Sequence, residues 1–353
     1  MQEQTRQHIP SLDGIRAVSI LIVVLSHAGY HQIPGGFGVT IFFFLSGYLI
    51  TTLLIAEQTT TGTISIQRFF LRRALRLMPA LIITLIVAYT LTIAGVLPGG
   101  VTLAGVASQL FYFANYYAIF YAEERSIPAG TGILWSLAVE EHYYALFPFF
   151  MALTLPRMRV GHICSILFVI CLAVLCWRIF LTTHSDFKPE RTYYGTDTRV
   201  DSILFGCILA LMWQFLPQNS SYARHPFGQG VLFIISGALL AFSFLYRDEM
   251  FRETFRYTVQ GIALMPLFWL AIRYPQRPLG LLLNNEMMNA MGKLSYTIYL
   301  VHLIVIELLR QTAGISSTWL VLVLGLSASI LYALVLDKTV ETYFRPLRAR
   351  LRC

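Results

Sequence analysis

Charge is scarce in this sequence: only 12% of its 353 residues are Asp, Glu, Lys or Arg, where soluble domains carry roughly a quarter. With 56% apolar residues and a mean hydropathy of +0.64, that shortage argues against a water-soluble fold and for a body embedded in lipid. Cysteine is sparse too. Cys164, Cys171, Cys176, Cys207 and Cys353 form no CxxC pair, so neither a zinc site nor a disulfide framework follows from their spacing. Cys353 is not part of a CaaX box, which leaves prenylation without support. The opening MQEQTRQHIPSLDGIR lacks a basic region, short apolar stretch and small-residue cleavage site in that order, so no removed signal peptide is expected. There is no low-complexity tract, and no internal repeat links residues 1–170 with 171–353.

Long hydrophobic runs are what the chain has in quantity. A hydrocarbon core about 30 Å thick needs about twenty apolar residues in a helix. Candidate spans lie near 15–30, 38–56, 79–97, 134–155, 162–182, 199–216, 228–246, 257–273, 293–311 and 317–336. The expected fold is therefore all-α: a polytopic integral membrane bundle of about ten transmembrane helices, forming a single domain over 1–353.

The 26 basic residues, which give a net charge of +8, cluster in short connections rather than in a nucleic-acid-binding patch. Arg68, Arg72, Arg73 and Arg76 fall in 57–78, Arg157 and Arg159 in 156–161, Arg224 in 217–227, and Arg273, Arg277 and Lys293 close the eighth span and open the ninth. Together with Arg345, Arg348, Arg350 and Arg352 near the end of the chain, they place both termini on the cytoplasmic side of an even number of spans. Segment 101–121 is apolar enough to cross, but counting it would invert every later loop, so 98–133 reads as lateral or re-entrant. Segment 57–78, with Phe69 and Phe70 among its arginines, reads as an amphipathic surface helix.

Several ionisable clusters remain inside or beside the spans, where charge is costly and function is the default reading. Arg16 and His27 are eleven residues apart, close to three helical turns and roughly 16 Å of rise, so they share a face of the first span. His27 is either a neutral helix-end histidine or a proton-transfer group. GGFGVTIFFFLSGYLIT (35–51) offers glycines for close helix approach. Arg73 and Arg76 share a helix face, fit either for membrane anchoring or for bidentate contact with phosphates. ILWSLAVEEHYYALFPFF (133–150) places Glu140, Glu141 and His142 early in an apolar span. The two carboxylates point about 100° apart, so at most one of them is expected to face the cavity. A carboxylate near His27 would orient its imidazole. YYGTDTRVDSILFG (193–206) puts Asp197, Arg199 and Asp201 at the mouth of the sixth span, and GKLSYTIYLVHLIVIELLR (292–310) carries Tyr296, Tyr299 and His302 on one face of the ninth.

Taken together, these pieces resemble the membrane-bound acyltransferase family 3, which includes bacterial O-antigen and peptidoglycan O-acetyltransferases. The resemblance rests on SLDGIRAVSILIVVLSH, GVTIFFFLSGYLIT, RRALRLMPA, LWSLAVEEHYY, YYGTDTRVDSILFG, GKLSYTIYLVH and VETYFRPLR, in family order from residue 11 to about 348. His142, where many relatives have Gln, and Tyr48, where Phe is common, depart from the pattern.

The resemblance implies transfer of an acyl group, usually acetyl from cytoplasmic acetyl-CoA, to a hydroxyl of a glycan such as O-antigen, an exopolysaccharide or a lipid-linked sugar. The expected location is the bacterial inner membrane, and the form is the one without an added esterase-like domain. Residue by residue, it implies His27 and Glu140 as catalytic, Glu140 orienting His27, and Arg16, Arg72, Arg73 and Arg76 on the CoA phosphates. Asp13, Trp135, Tyr194, Arg199, Asp201, Tyr296 and His302 are the substrate-binding candidates from the same motifs. His27 would serve as general base or as transient acyl carrier. No metal and no nucleic acid is expected. The competing class is a proton-coupled secondary transporter of an anionic solute, in which His27, Glu140 and His302 relay protons.

Overall fold

Inside lipid an apolar run satisfies its own backbone N–H and C=O groups only as a helix or in a closed barrel, and this chain takes the first solution. The computed structural model describes residues 9–121, 126–184, 186–213 and 226–351. Residues 1–8, Arg224, Arg352 and Cys353 lie outside the described residues. Among the described residues, ten helices have 17 residues or more and lie over the expected apolar runs: α1 Pro10–His27, α2 Gly35–Thr61, α3 Ile66–Ile93, α4 Trp135–Thr154, α5 Val160–Thr182, α6 Thr196–Met212, α7 Pro226–Leu245, α8 Phe255–Arg273, α9 Glu286–Glu307 and α10 Thr318–Leu336. Among the described residues, eight are long and apolar enough to cross a membrane. The two that fall short are α4, which carries Glu140, Glu141 and His142, and α6, which has 17 residues. The molecule is an all-helical, multi-pass membrane protein.

Segment 98–133 holds two short helices, Leu103–Leu110 and Ala114–Phe120, and a single 3-10 turn at Gly132–Leu134. An eight-residue helix rises about 12 Å, so none of these crosses. Segment 57–78 is a correction. It forms no separate surface helix: α2 runs on to Thr61, and α3 starts at Ile66 and passes through Pro79 without a break. Ser65 starts α3 by accepting from the Arg68 backbone N–H, so Arg72, Arg73 and Arg76 belong to the first turns of a membrane-spanning helix.

The chain packs as two compact units. One comprises Met1–Arg16, Val39–Ile64 and Phe149–Asn289; the other comprises Ala17–Gly38, Ser65–Pro148 and Ala290–Cys353. In the first unit α6 packs on α5 and α8, and α7 packs on α8. Two glycines set the approach of α2 to α6: a Cβ on Gly47 would stand 2.0 Å from the Ile203 carbonyl oxygen, and one on Gly206 would stand 1.9 Å from that of Phe44. Backbones this close require small residues. In the second unit the 342–350 helix packs on α3, and Gly130, at φ +80°, lies where a Cβ would be 2.5 Å from the Ile304 nitrogen. Segment 98–133 thus rests directly on the α9 backbone.

Candidate active site

The second unit builds its chemistry at the last turn of α1. His27 is the final helical residue. Beyond it Gly29 adopts φ +111°, and the chain closes with Tyr30 N–H donating to the Leu25 carbonyl and Gly29 N–H to that of Ser26. Such a left-handed glycine ends a helix while satisfying its loose carbonyls. The Arg310 guanidinium donates to the Ala28 carbonyl at 2.7 Å, adding a cation where the helix dipole is negative. Arg310 sits in a π turn, Leu308–Thr312, that continues α9. Sequence reasoning passed over it, although a cation closing an apolar span was the available signal.

α9 supplies the partner of His27. Nδ1 of His27 lies 2.9 Å from Nε2 of His302, with ring centroids 5.1 Å apart and planes 20° from parallel. His302 is 0% exposed, and its own Nδ1 lies 2.8 Å from the Tyr299 carbonyl oxygen. The Tyr299 hydroxyl is tied to Ser136 Oγ at 2.7 Å and donates to the Ile133 carbonyl at 3.1 Å, which fixes α9 against the start of α4. The expected pairing of Glu140 with His27 does not form. A second imidazole occupies that place, 275 residues away in sequence.

Glu140 instead belongs to the arginine-bearing region of the same unit. It accepts from the Tyr144 hydroxyl at 3.3 Å, one turn along α4. The Arg73 guanidinium lies 4.4 Å from the Tyr144 ring centroid and 5.9 Å from that of Phe69, held by cation–π attraction. Arg72 donates to the Leu351 carbonyl at 3.0 Å, Arg76 is exposed and Trp135 is buried. Tyr296 donates to the Leu77 carbonyl at 2.9 Å. Tyr296, Tyr299 and His302 follow one another at three-residue steps, so α9 carries a line of polar side chains from the arginines of α3 to His27, about 9 Å of rise.

The first unit holds the remaining candidates. Arg16, on the same helix as His27, pairs with Asp13 at 2.9 Å. Arg199 and Asp201 do not lie at an open mouth; both are 0% exposed. Arg199 donates to Thr40 Oγ1 at 3.0 Å and to the Tyr193 carbonyl at 3.2 Å, with its guanidinium 3.9 Å from the Tyr257 ring centroid. Asp201 pairs at 2.8 Å with Arg178, an α5 residue that sequence reasoning missed. Arg178 also donates to the carbonyls of Thr254 and Thr198 and to Thr258 Oγ1. Asp197 is the half-buried member, bound by Arg191 and by Trp177 Nε1 at 2.7 Å. Tyr194 stacks edge-on against Tyr193.

Comparison with known proteins adds a further finding. A family model described as an acyltransferase domain (Acyl_transf_3) matches residues 9–338. The peptidoglycan O-acetyltransferase OatA of Listeria monocytogenes is 30% identical over 357 residues, covering 97% of this chain and 56% of OatA. A Bacillus subtilis protein with the provisional name peptidoglycan O-acetyltransferase YrhL is 33% identical over 331 residues, covering 87% of this chain and 50% of YrhL. The chain thus spans about half the length of these curated relatives. No solved structure matches it significantly.

Proposed function

The chain belongs to the acyltransferase domain family, and from that premise we propose that it is a membrane O-acyltransferase moving acetyl from acetyl-CoA to a hydroxyl of a cell-envelope glycan. Its relatives' names give peptidoglycan as the acceptor of those proteins; O-antigen, exopolysaccharide and lipid-linked sugars offer the same class of hydroxyl. The membrane is the bacterial inner membrane, with CoA and both chain ends on the cytoplasmic side.

In this reading Arg73 and Arg76 hold the CoA phosphates. Stacking on Tyr144 fixes the plane of the Arg73 guanidinium and leaves its in-plane N–H groups for phosphate oxygens. Arg72 adds positive charge, and Glu140 positions the Tyr144 ring. At the reacting end, Nε2 of His27 takes the proton of the acceptor hydroxyl as that oxygen bonds to the thioester carbonyl carbon. The carbon–sulfur bond breaks and the imidazolium returns its proton to the CoA thiolate, leaving an acetyl ester and free CoA.

The observation that carries this reading is the position of His27, held through Nδ1 by a buried partner in the unit that also carries Arg73, Arg76 and Glu140. The test incubates purified full-length protein with acetyl-CoA radiolabelled in the acetyl group and a crude envelope glycan fraction. Ester formation is expected, falling about 10²–10⁴-fold in His27→Ala with the yield of folded protein unchanged. Undiminished transfer by that variant refutes the role of His27.

A further inference from the structure

We infer that His302 is a positioning residue that fixes the tautomer of His27, so that the reactive lone pair always lies on Nε2. The inference rests on the acyltransfer reading for its consequence in catalysis, while the tautomer itself follows from hydrogen-bond chemistry.

The Tyr299 carbonyl oxygen decides where His302 carries its hydrogen. An oxygen of that kind only accepts, so the His302 Nδ1 atom 2.8 Å from it carries a hydrogen. A neutral imidazole has one N–H, which leaves His302 Nε2 as an acceptor. His27 Nδ1, 2.9 Å from that acceptor, must then be the donor. Its second nitrogen, Nε2, is left with the lone pair. The alternative is a His302 that carries both hydrogens and a positive charge. It would bury a cation at 0% exposure with no carboxylate within ion-pair distance among the described residues, an arrangement proteins avoid.

Two further contacts keep this chain of donors in register. Tyr299 is anchored through its hydroxyl to Ser136 and Ile133, and Arg310, eight residues beyond His302, grips the Ala28 carbonyl next to His27. α9 therefore holds the last turn of α1 at two points, one on the imidazole and one on the backbone. When Nε2 gains a proton, the Nδ1 hydrogen stays directed at His302, and the ring does not turn between the two halves of the reaction. A histidine held in the wrong tautomer presents N–H where the acceptor hydroxyl needs a base.

The experiment has two readouts on the full-length protein in detergent. Histidine-selective 15N labelling, with His27 assigned by loss of its signals in His27→Asn, reports the tautomer directly. Wild type is expected to show His27 protonated on Nδ1; protonation on Nε2 overturns the inference. Acetyl transfer is then measured in His302→Gln, whose side-chain oxygen can still accept from His27, and in His302→Leu, which cannot. His302→Leu is expected to lose kcat about 10²-fold with KM for acetyl-CoA unchanged, while His302→Gln stays within about tenfold of wild type. A folded His302→Leu protein with wild-type kcat, or equal losses in both variants, overturns the inference. The tautomer is read whether or not the protein transfers acetyl, so wild type with the expected tautomer but no ester formation sinks the acyltransfer reading alone.

Discussion

The two units treat ionisable groups in opposite ways. In the first, Arg178 and Asp201 are buried at 0% exposure, and the arginine spends four hydrogen bonds on Asp201, Thr258 and the carbonyls of Thr198 and Thr254. In the second, His27 is half-buried and uses one ring nitrogen, while Arg73 rests on an aromatic face. A fully buried pair with most of its donors engaged orders the helices around it and is closed to a ligand. A side chain held on one side and open on the other can do chemistry. Two charged clusters of similar composition thus differ in role because of where their hydrogen-bonding capacity goes.

The largest effect that tests this contrast is expected at the closed cluster. Asp201→Ala leaves the Arg178 charge buried without its counter-ion and should cost about 3–5 kcal/mol of stability, read as a fall in thermal unfolding temperature in detergent. A variant as stable as wild type would show that the cluster does not hold the first unit together. At the open cluster the effect should be on binding instead. Arg73→Ala is expected to raise KM for acetyl-CoA about tenfold with kcat within about twofold, and Arg73→Lys to fall between, because an ammonium keeps the charge and loses the planar fork. An unchanged KM would remove Arg73 from the donor site. The smallest effect belongs to Asp197, one helical turn before Asp201 on α6 and paired with Arg191 at 36% side-chain exposure. Asp197→Asn should change stability by less than about 1 kcal/mol. If it proves as damaging as Asp201→Ala, exposure is not what separates the two carboxylates.

Helix positions were legible because hydrophobic length is a local property. A run such as 317–336 needs no partner to identify it, and α10 forms at Thr318–Leu336. The reading of 98–133 as lateral or re-entrant came from the charge of later loops, and the helices there are too short to span. The extent of α3 was misjudged, since arginines and Phe69 suit a surface helix and the first turns of a spanning one equally. At the site, the spacing of Tyr296, Tyr299 and His302 could be read as one face of a helix. That this face meets His27 could not be read, and neither could the pairing of Arg178 with Asp201 in preference to other charges.

What the sequence determined by itself is the set of helices and the chemical groups each one carries, because periodicity and apolar length act over a few turns. What only the tertiary structure decided is which groups are spent on one another: His27 on His302 and Asp201 on Arg178. Hydrogen bonds and cation–π contacts act over a few ångströms, so they are settled only when residues tens to hundreds of positions apart are brought together by packing.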